Sequence, residues 1–381
     1  MNGLAQFDSR VPLRCCLAVV ALLLSLPPMQ AAEPKADEID RLMQAYTNTV
    51  GFQGAVLVAD RGTVILKKGY GLANVELDVP NTPETKYRLG SLTKQFTAML
   101  VLQLVAEGKV RLESKLSEYV PEYPKATGER ITIHQLLTHQ SGIPNYITPE
   151  FLAKRSREFF SPTDLAKVFW ERPLDFEPGA KYSYTNSGYH MLGIVVEKVT
   201  GKSYEQALRE RILDPLDMRD TGYDHTQAIL PRRAAGYTKT PKGLQNAAFG
   251  EMSIPYAAGG MYSTVLDMRK WDAALYTEKL LDRKHLDLMF QPAVKIGAGR
   301  AYGYGWMLSV LTLAGSGQKL PVIEHFGGII GFTSMIVRLP EERSLIVALA
   351  NILGVEWGGA TRGIAQILHG EQPETPKKPT R

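Results

Sequence analysis

The stretch Ser91-Leu92-Thr93-Lys94-Gln95-Phe96-Thr97-Ala98-Met99-Leu100-Val101-Leu102 opens a helical pattern that runs to Gly108. Leu92, Phe96, Met99, Leu100, Leu102 and Val105 leave it almost no polar face, so this helix belongs inside the protein. Shorter helical patterns follow over 132–138, 162–171, 187–199 and 204–213, separated by loops rich in Pro, Gly and Asn. On either side of this helical middle the reading changes to strands. Upstream, 55–59 and 63–67 flank Asp60-Arg61-Gly62, whose glycine suits a tight hairpin, and a helix over 36–50 precedes them. Downstream, strands are predicted over 302–310, 322–325, 333–339 and 344–351, the last two joined by Pro340-Glu341-Glu342-Arg343. Strands at both ends predict an α+β fold: one antiparallel β-sheet flanked by N- and C-terminal helices, with an all-helical lobe inserted. The α/β lobe is expected from about 33–90 and 300–370, and the helical lobe from about 91–299.

Composition agrees with a large folded protein. The 381 residues are 44% hydrophobic and 22% charged, near the globular average. The charge of +5 comes from basic residues scattered among acidic ones, so no nucleic-acid partner is implied. The tail over 371–381, with Pro373, Pro376 and Pro379 among mixed charges, is expected to be disordered.

Residues 1–32 read as an export signal: Arg10 and Arg14 precede an apolar run from Cys16 to Leu26, then Pro27-Pro28 and the small residues Ala31 and Ala32. That run is far shorter than the roughly 20 residues a membrane span needs, so cleavage near Ala31 or Ala32 is expected rather than a stable anchor. Both cysteines, Cys15 and Cys16, lie inside this segment. A mature chain beginning near residue 33 would therefore have no disulfide, thiolate metal site or nucleophilic thiol. The expected location is periplasmic or secreted.

Chemistry concentrates at the start of the buried helix. A serine hydroxyl is a weak nucleophile unless a neighbour takes its proton. Lys94, three residues after Ser91, projects from the same helical face, and the helix N-terminus offers free N–H groups to a developing oxyanion. Alone the pattern is weak: a second copy stands at Ser316-Gly317-Gln318-Lys319, without a following helix. Two further triplets accompany Ser91. Tyr184-Thr185-Asn186 precedes a helix; a phenol acidified by two neighbouring cations would serve as base, and Asn186 would hold Lys94 and a substrate carbonyl together. His325-Phe326-Gly327-Gly328 ends a strand, where an imidazolium would supply positive charge and the Gly328 N–H a second oxyanion donor beside that of Ser91. Tyr46-Thr47-Asn48 repeats the second pattern, but Tyr46 occupies an apolar helix position and reads as core. His134 and His139 are too far apart for two metal ligands on one helical face and read as structural; no metal or cofactor motif is present.

Ser91-x-x-Lys94, Tyr184-x-Asn186 and His325-x-Gly327, in that order, resemble the motifs of the serine β-lactamase and penicillin-binding-protein superfamily, on its class C branch. Ile133-His134-Gln135-Leu136-Leu137-Thr138-His139-Gln140-Ser141-Gly142, Ala258-Gly259-Gly260-Met261-Tyr262-Ser263-Thr264 and Tyr304-Gly305-Trp306 look like that branch's recurring segments. The resemblance implies a two-lobed β-lactamase/transpeptidase-like hydrolase with a cleft between the lobes. It also implies an acyl-enzyme on Ser91, proton transfer through Lys94 and Tyr184, and no metal or cofactor. Which of Lys94 and Tyr184 is the first base stays open.

The third triplet departs from the family's drug-resistance members, with histidine in place of lysine and Phe326 where a hydroxyl is common. That weakens the expectation of a β-lactamase or D,D-carboxypeptidase. The expected substrate is a small ester, amide or D-amino-acid peptide, with Phe326 and Gly327 as substrate contacts. The alternatives are a penicillin-binding D,D-peptidase, a weak class C-like β-lactamase, or a penicillin-binding sensor module that acylates without turnover.

Overall fold

The computed structural model describes Gly3 and residues 32–355 and 357–376. The predicted signal segment and its cleavage site fall largely outside the described residues, as does the tail beyond residue 376. Chain order gives α1 (Ala32–Val50), β1 (Gly54–Asp60) and β2 (Thr63–Tyr70), then α2 (Thr93–Ala106), α3 (Asn186–Thr200) and α4 (Val265–Ala274). Next come β3 (Val294–Gly297), β4 (Arg300–Tyr302), β5 (Met307–Thr312), β6 (Lys319–Ile329), β7 (Phe332–Leu339), β8 (Ser344–Ala350) and α5 (Trp357–Leu368). The eight strands form one sheet in the order β3-β4-β5-β6-β7-β8-β1-β2, so β1 pairs antiparallel with β8 and the two chain ends close the sheet together. Arg61 and Gly62 both have positive φ in the first hairpin, the backbone that a two-residue turn between twisted strands requires.

Alternation along β1 divides the core. Val56 and Val58, with Ile346 and Ala348 of β8, meet Ile39, Leu42 and Met43 of α1 and Trp357 and Ile364 of α5. Ala55, Leu57, Val347 and Leu349 face the other way, into the larger core that contains α2, α3 and α4. α2 is buried from Thr93 through Leu104, so its apolar sides all find partners. Arg338 of β7 gives its Nε to Asp272 of α4 at 2.7 Å, a buried ion pair between sheet and helices.

Three details differ from expectation. The strand predicted over 302–310 is two, because Gly303-Tyr304-Gly305-Trp306 turns the chain and Gly305 takes a positive φ of 77°. The inserted segment is mainly helical but not wholly: Met261–Ser263 pairs with Tyr87–Arg88 on one side and Gly222–Tyr223 on the other in a small sheet, and Tyr237–Thr240 pairs with Gly243–Asn246. The tail begins ordered: the Glu371 carboxylate accepts the N–H groups of Gly315 at 2.9 Å and Ser316 at 2.7 Å. Among the described residues no helix is long and apolar enough to cross a membrane.

Candidate active site

Ser91 sits in a single 3₁₀ turn, Gly90–Leu92, that leads directly into α2. Gly90 has a φ of 53°, and a Cβ there would come within 2.9 Å of the Gly328 carbonyl oxygen; only glycine lets the turn lie against the end of β6. Gly327 is equally confined, since a Cβ would stand 2.1 Å from the Leu89 carbonyl oxygen. The turn and the strand thus bring the backbones of Ser91 and Gly328 to the two sides of one space, where their N–H groups can serve one oxyanion.

Lys94 is fully buried one turn below the serine. Its Nζ lies 3.0 Å from Ser91 Oγ, 2.9 Å from Asn186 Oδ1 and 2.8 Å from the Ala258 carbonyl oxygen. Burial pushes its pKa well below the ordinary lysine value, and among the described residues no carboxylate lies within ion-pair distance of it. A neutral amine matches these neighbours: its two N–H groups go to the carbonyl oxygens of Asn186 and Ala258, and its lone pair faces the Ser91 hydroxyl. Tyr184 donates its O–H to Ser91 Oγ at 2.8 Å, which leaves the serine proton directed at Lys94.

Tyr184 stands on the loop before α3, whose N-cap is Thr185; the Thr185 side chain accepts the Ser187 N–H at 3.2 Å. The residue as a whole is 37% exposed, yet burial of the hydroxyl pushes the phenol upward from its ordinary pKa. This corrects the expectation of an acidified phenol: the site encloses the hydroxyl, and desolvation outweighs the hydrogen bond to Ser91 that acts the other way. His325 is also corrected. It is buried, its Nδ1 donates to the Phe326 carbonyl oxygen at 2.7 Å, and its Nε2 accepts the Tyr302 hydroxyl at 3.0 Å. Burial, followed by the proximity of Lys94, lowers its pKa to about 3, so it is a neutral spacer 6.4 Å from the Tyr184 ring and not an imidazolium. Phe326 points outward and is 57% exposed.

Three contributors carry no chemical signal in the sequence. The Ala258 carbonyl is backbone, invisible to any side-chain pattern. Asn145 accepts the Asn186 N–H at 3.3 Å and steadies the amide that holds Lys94. His139, read as structural, accepts the Thr185 N–H on Nδ1 at 3.2 Å and lays its ring 4.3 Å from that of Tyr184. The second S-x-x-K copy is a surface loop, where Ser316 Oγ accepts the Gln318 N–H, and Tyr46 is buried in the core as expected.

An antiparallel sheet closed by both chain ends, a helical insertion, and a serine, lysine and tyrosine meeting between them define a β-lactamase/transpeptidase-fold protein. The chain belongs to the beta-lactamase family, whose profile matches residues 39–370. It is 28% identical over 343 residues to the PbpX protein of Bacillus subtilis (strain 168), covering 89% of this chain and 82% of that one. The octameric penicillin-binding protein homologue from Pyrococcus abyssi superposes with a TM-score of 0.77 at 28% identity, covering 88% of this chain and 78% of that one. The D-stereospecific amidohydrolase from Streptomyces sp. gives 0.71 at 28% identity, covering 87% and 97%. The D-amino acid amidase from Ochrobactrum anthropi SV3 gives 0.72 at 26% identity, covering 89% and 97%.

Proposed function

We propose that the protein is an exported serine hydrolase that cleaves a small ester or amide through an acyl-enzyme on Ser91. The observation that carries this reading is the buried Lys94, whose Nζ is held by Asn186 Oδ1 and the Ala258 carbonyl oxygen within 3.0 Å of Ser91 Oγ. Lys94 takes the Ser91 proton as Oγ bonds to the substrate carbonyl carbon, and the carbonyl electron pair moves to oxygen between the N–H groups of Ser91 and Gly328. When that pair returns, the bond to the leaving group breaks. Tyr184, a neutral phenol and therefore a proton donor, protonates the leaving atom and recovers a proton from Lys94. Water repeats the sequence on the acyl-enzyme, releasing the acid and restoring Ser91. The two amide-hydrolysing relatives support an amide or D-aminoacyl substrate; the apolar run and small residues before residue 33 support export to the periplasm or medium.

Mass spectrometry during turnover of p-nitrophenyl acetate tests this: the native protein gains an acetyl group on Ser91 and Ser91→Ala neither gains it nor turns over. Undiminished turnover by Ser91→Ala would overturn the reading. A stable adduct with a fluorescent penicillin, without turnover of any ester or amide, would replace it with a penicillin-binding role.

A further inference from the structure

A cavity of about 320 Å³ opens beside Ser91, bordered by Ser91, Asn186 and Gly328 but not by Tyr184 or Phe326. Under the reading above, on which this inference rests, Tyr184 protonates the leaving group. The leaving group therefore departs on the Tyr184 side, and the cavity receives the acyl group. Its walls are largely apolar, with Ile147, Leu152, Met252, Ile254, Ile330 and Leu353 among them.

Glu251 is the one acidic residue that lines this cavity, and it is partly buried. Its Oε1 accepts the Ser253 N–H at 3.1 Å. Among the described residues its Oε2 has no hydrogen-bond partner, and no cation lies within ion-pair distance. Arg88 also borders the cavity, but it gives its Nε to Asp224 at 2.7 Å and forms no ion pair with Glu251. An uncharged acyl group filling the cavity would strip water from the Glu251 carboxylate and return nothing for it. An acyl group carrying an ammonium would supply the missing partner. The leaving-group side has the opposite character: exposed Phe326 and neutral His325 offer no cation to a substrate carboxylate.

We infer that Glu251 binds the ammonium of an aminoacyl substrate, so that the preferred substrates are amides or esters of amino acids with a free amino group and an apolar side chain. Cleavage then falls at the carbonyl of the amino-terminal residue.

The test compares kcat/KM for phenylalanine methyl ester, taking the faster enantiomer, with that for methyl 3-phenylpropanoate, which has the same shape without the amine. The native protein should favour the amino ester by about tenfold or more, the factor a hydrogen bond to a charged group typically carries. Glu251→Gln, which keeps the bond to Ser253, should bring the ratio close to one, partly by raising turnover of the des-amino ester. An unchanged ratio in Glu251→Gln overturns the inference. So does a native protein that shows no preference, or that cleaves neither ester while still hydrolysing p-nitrophenyl acetate through Ser91. In each of those cases Ser91-dependent turnover leaves the hydrolase reading standing; only turnover that survives Ser91→Ala removes both.

Discussion

Lys94 lies on a buried helix without a countercharge, and its pKa is lowered by that burial alone. Because the neutral amine is the competent form, kcat/KM should rise with pH through the lowered Lys94 pKa and then level off, following the fraction of unprotonated lysine. Lys94→Arg, which stays charged at every accessible pH, should lose on the order of 10² or more in kcat/KM and show no such rise. Tyr184→Phe should also lose about 10² or more, mainly in kcat, and most for amides, whose leaving nitrogen must be protonated. A full rate for Tyr184→Phe on an amide would show that another donor serves the leaving group. Ser91, Lys94, Tyr184 and Asn186 were legible in the sequence because each is a side chain in a short fixed spacing. The charges of Tyr184 and His325 were not, because desolvation is set by what packs around a group and not by its neighbours in the chain.

At the scale of elements, the site depends on the contact between the 3₁₀ turn Gly90–Leu92 and the end of β6. Gly327→Ala would drive a methyl group into the Leu89 carbonyl oxygen, where the available separation is 2.1 Å. It should part the two oxyanion donors and reduce kcat by about 10² or more, with a lower Tm, since both the sheet edge and the turn must shift. Unaltered kcat with unaltered Tm would show that the two elements are not coupled. The two-strand outcome over 300–312 arises from the same region: the Gly305 turn comes so near the first turn of α2 that a Cβ would meet the Lys94 carbonyl oxygen at 2.9 Å. Alternating residues suggested one strand there because periodicity does not register a turn that exists to clear another element.

Across the whole molecule, the sheet and the helices are joined by apolar packing and by the buried pair of Arg338 and Asp272. Burial raises the Asp272 pKa even with Arg338 beside it, so removing the guanidinium leaves a carboxylate that must be neutralised or unfold its surroundings. Arg338→Met should cost about 3–5 kcal/mol, and adding Asp272→Leu should recover much of it; equal losses in single and double variants would contradict the coupling. Acid stability follows from buried neutral histidines. Burial lowers His190 from 6.5 to about 4, and His139 and His325 are lowered likewise. Between about pH 6.5 and 4 the unfolded chain binds protons the native chain does not, so stability falls as pH falls. The unfolding free energy should therefore fall from pH 7 to pH 4, as denaturant titrations at the two pH values would measure, and His190→Gln should lessen the fall by on the order of 1 kcal/mol or more.

Hydrophobic periodicity by itself determined that strands from both chain ends share one sheet and that the helix after Ser91 is buried, because burial patterns are written locally in every element. Motif spacing determined which side chains meet. Only the tertiary structure decided their protonation, the backbone carbonyl of Ala258 that orients Lys94, and the cavity that Ser91 and Glu251 both line. Those properties belong to enclosed space, and enclosure is made by residues distant in the chain.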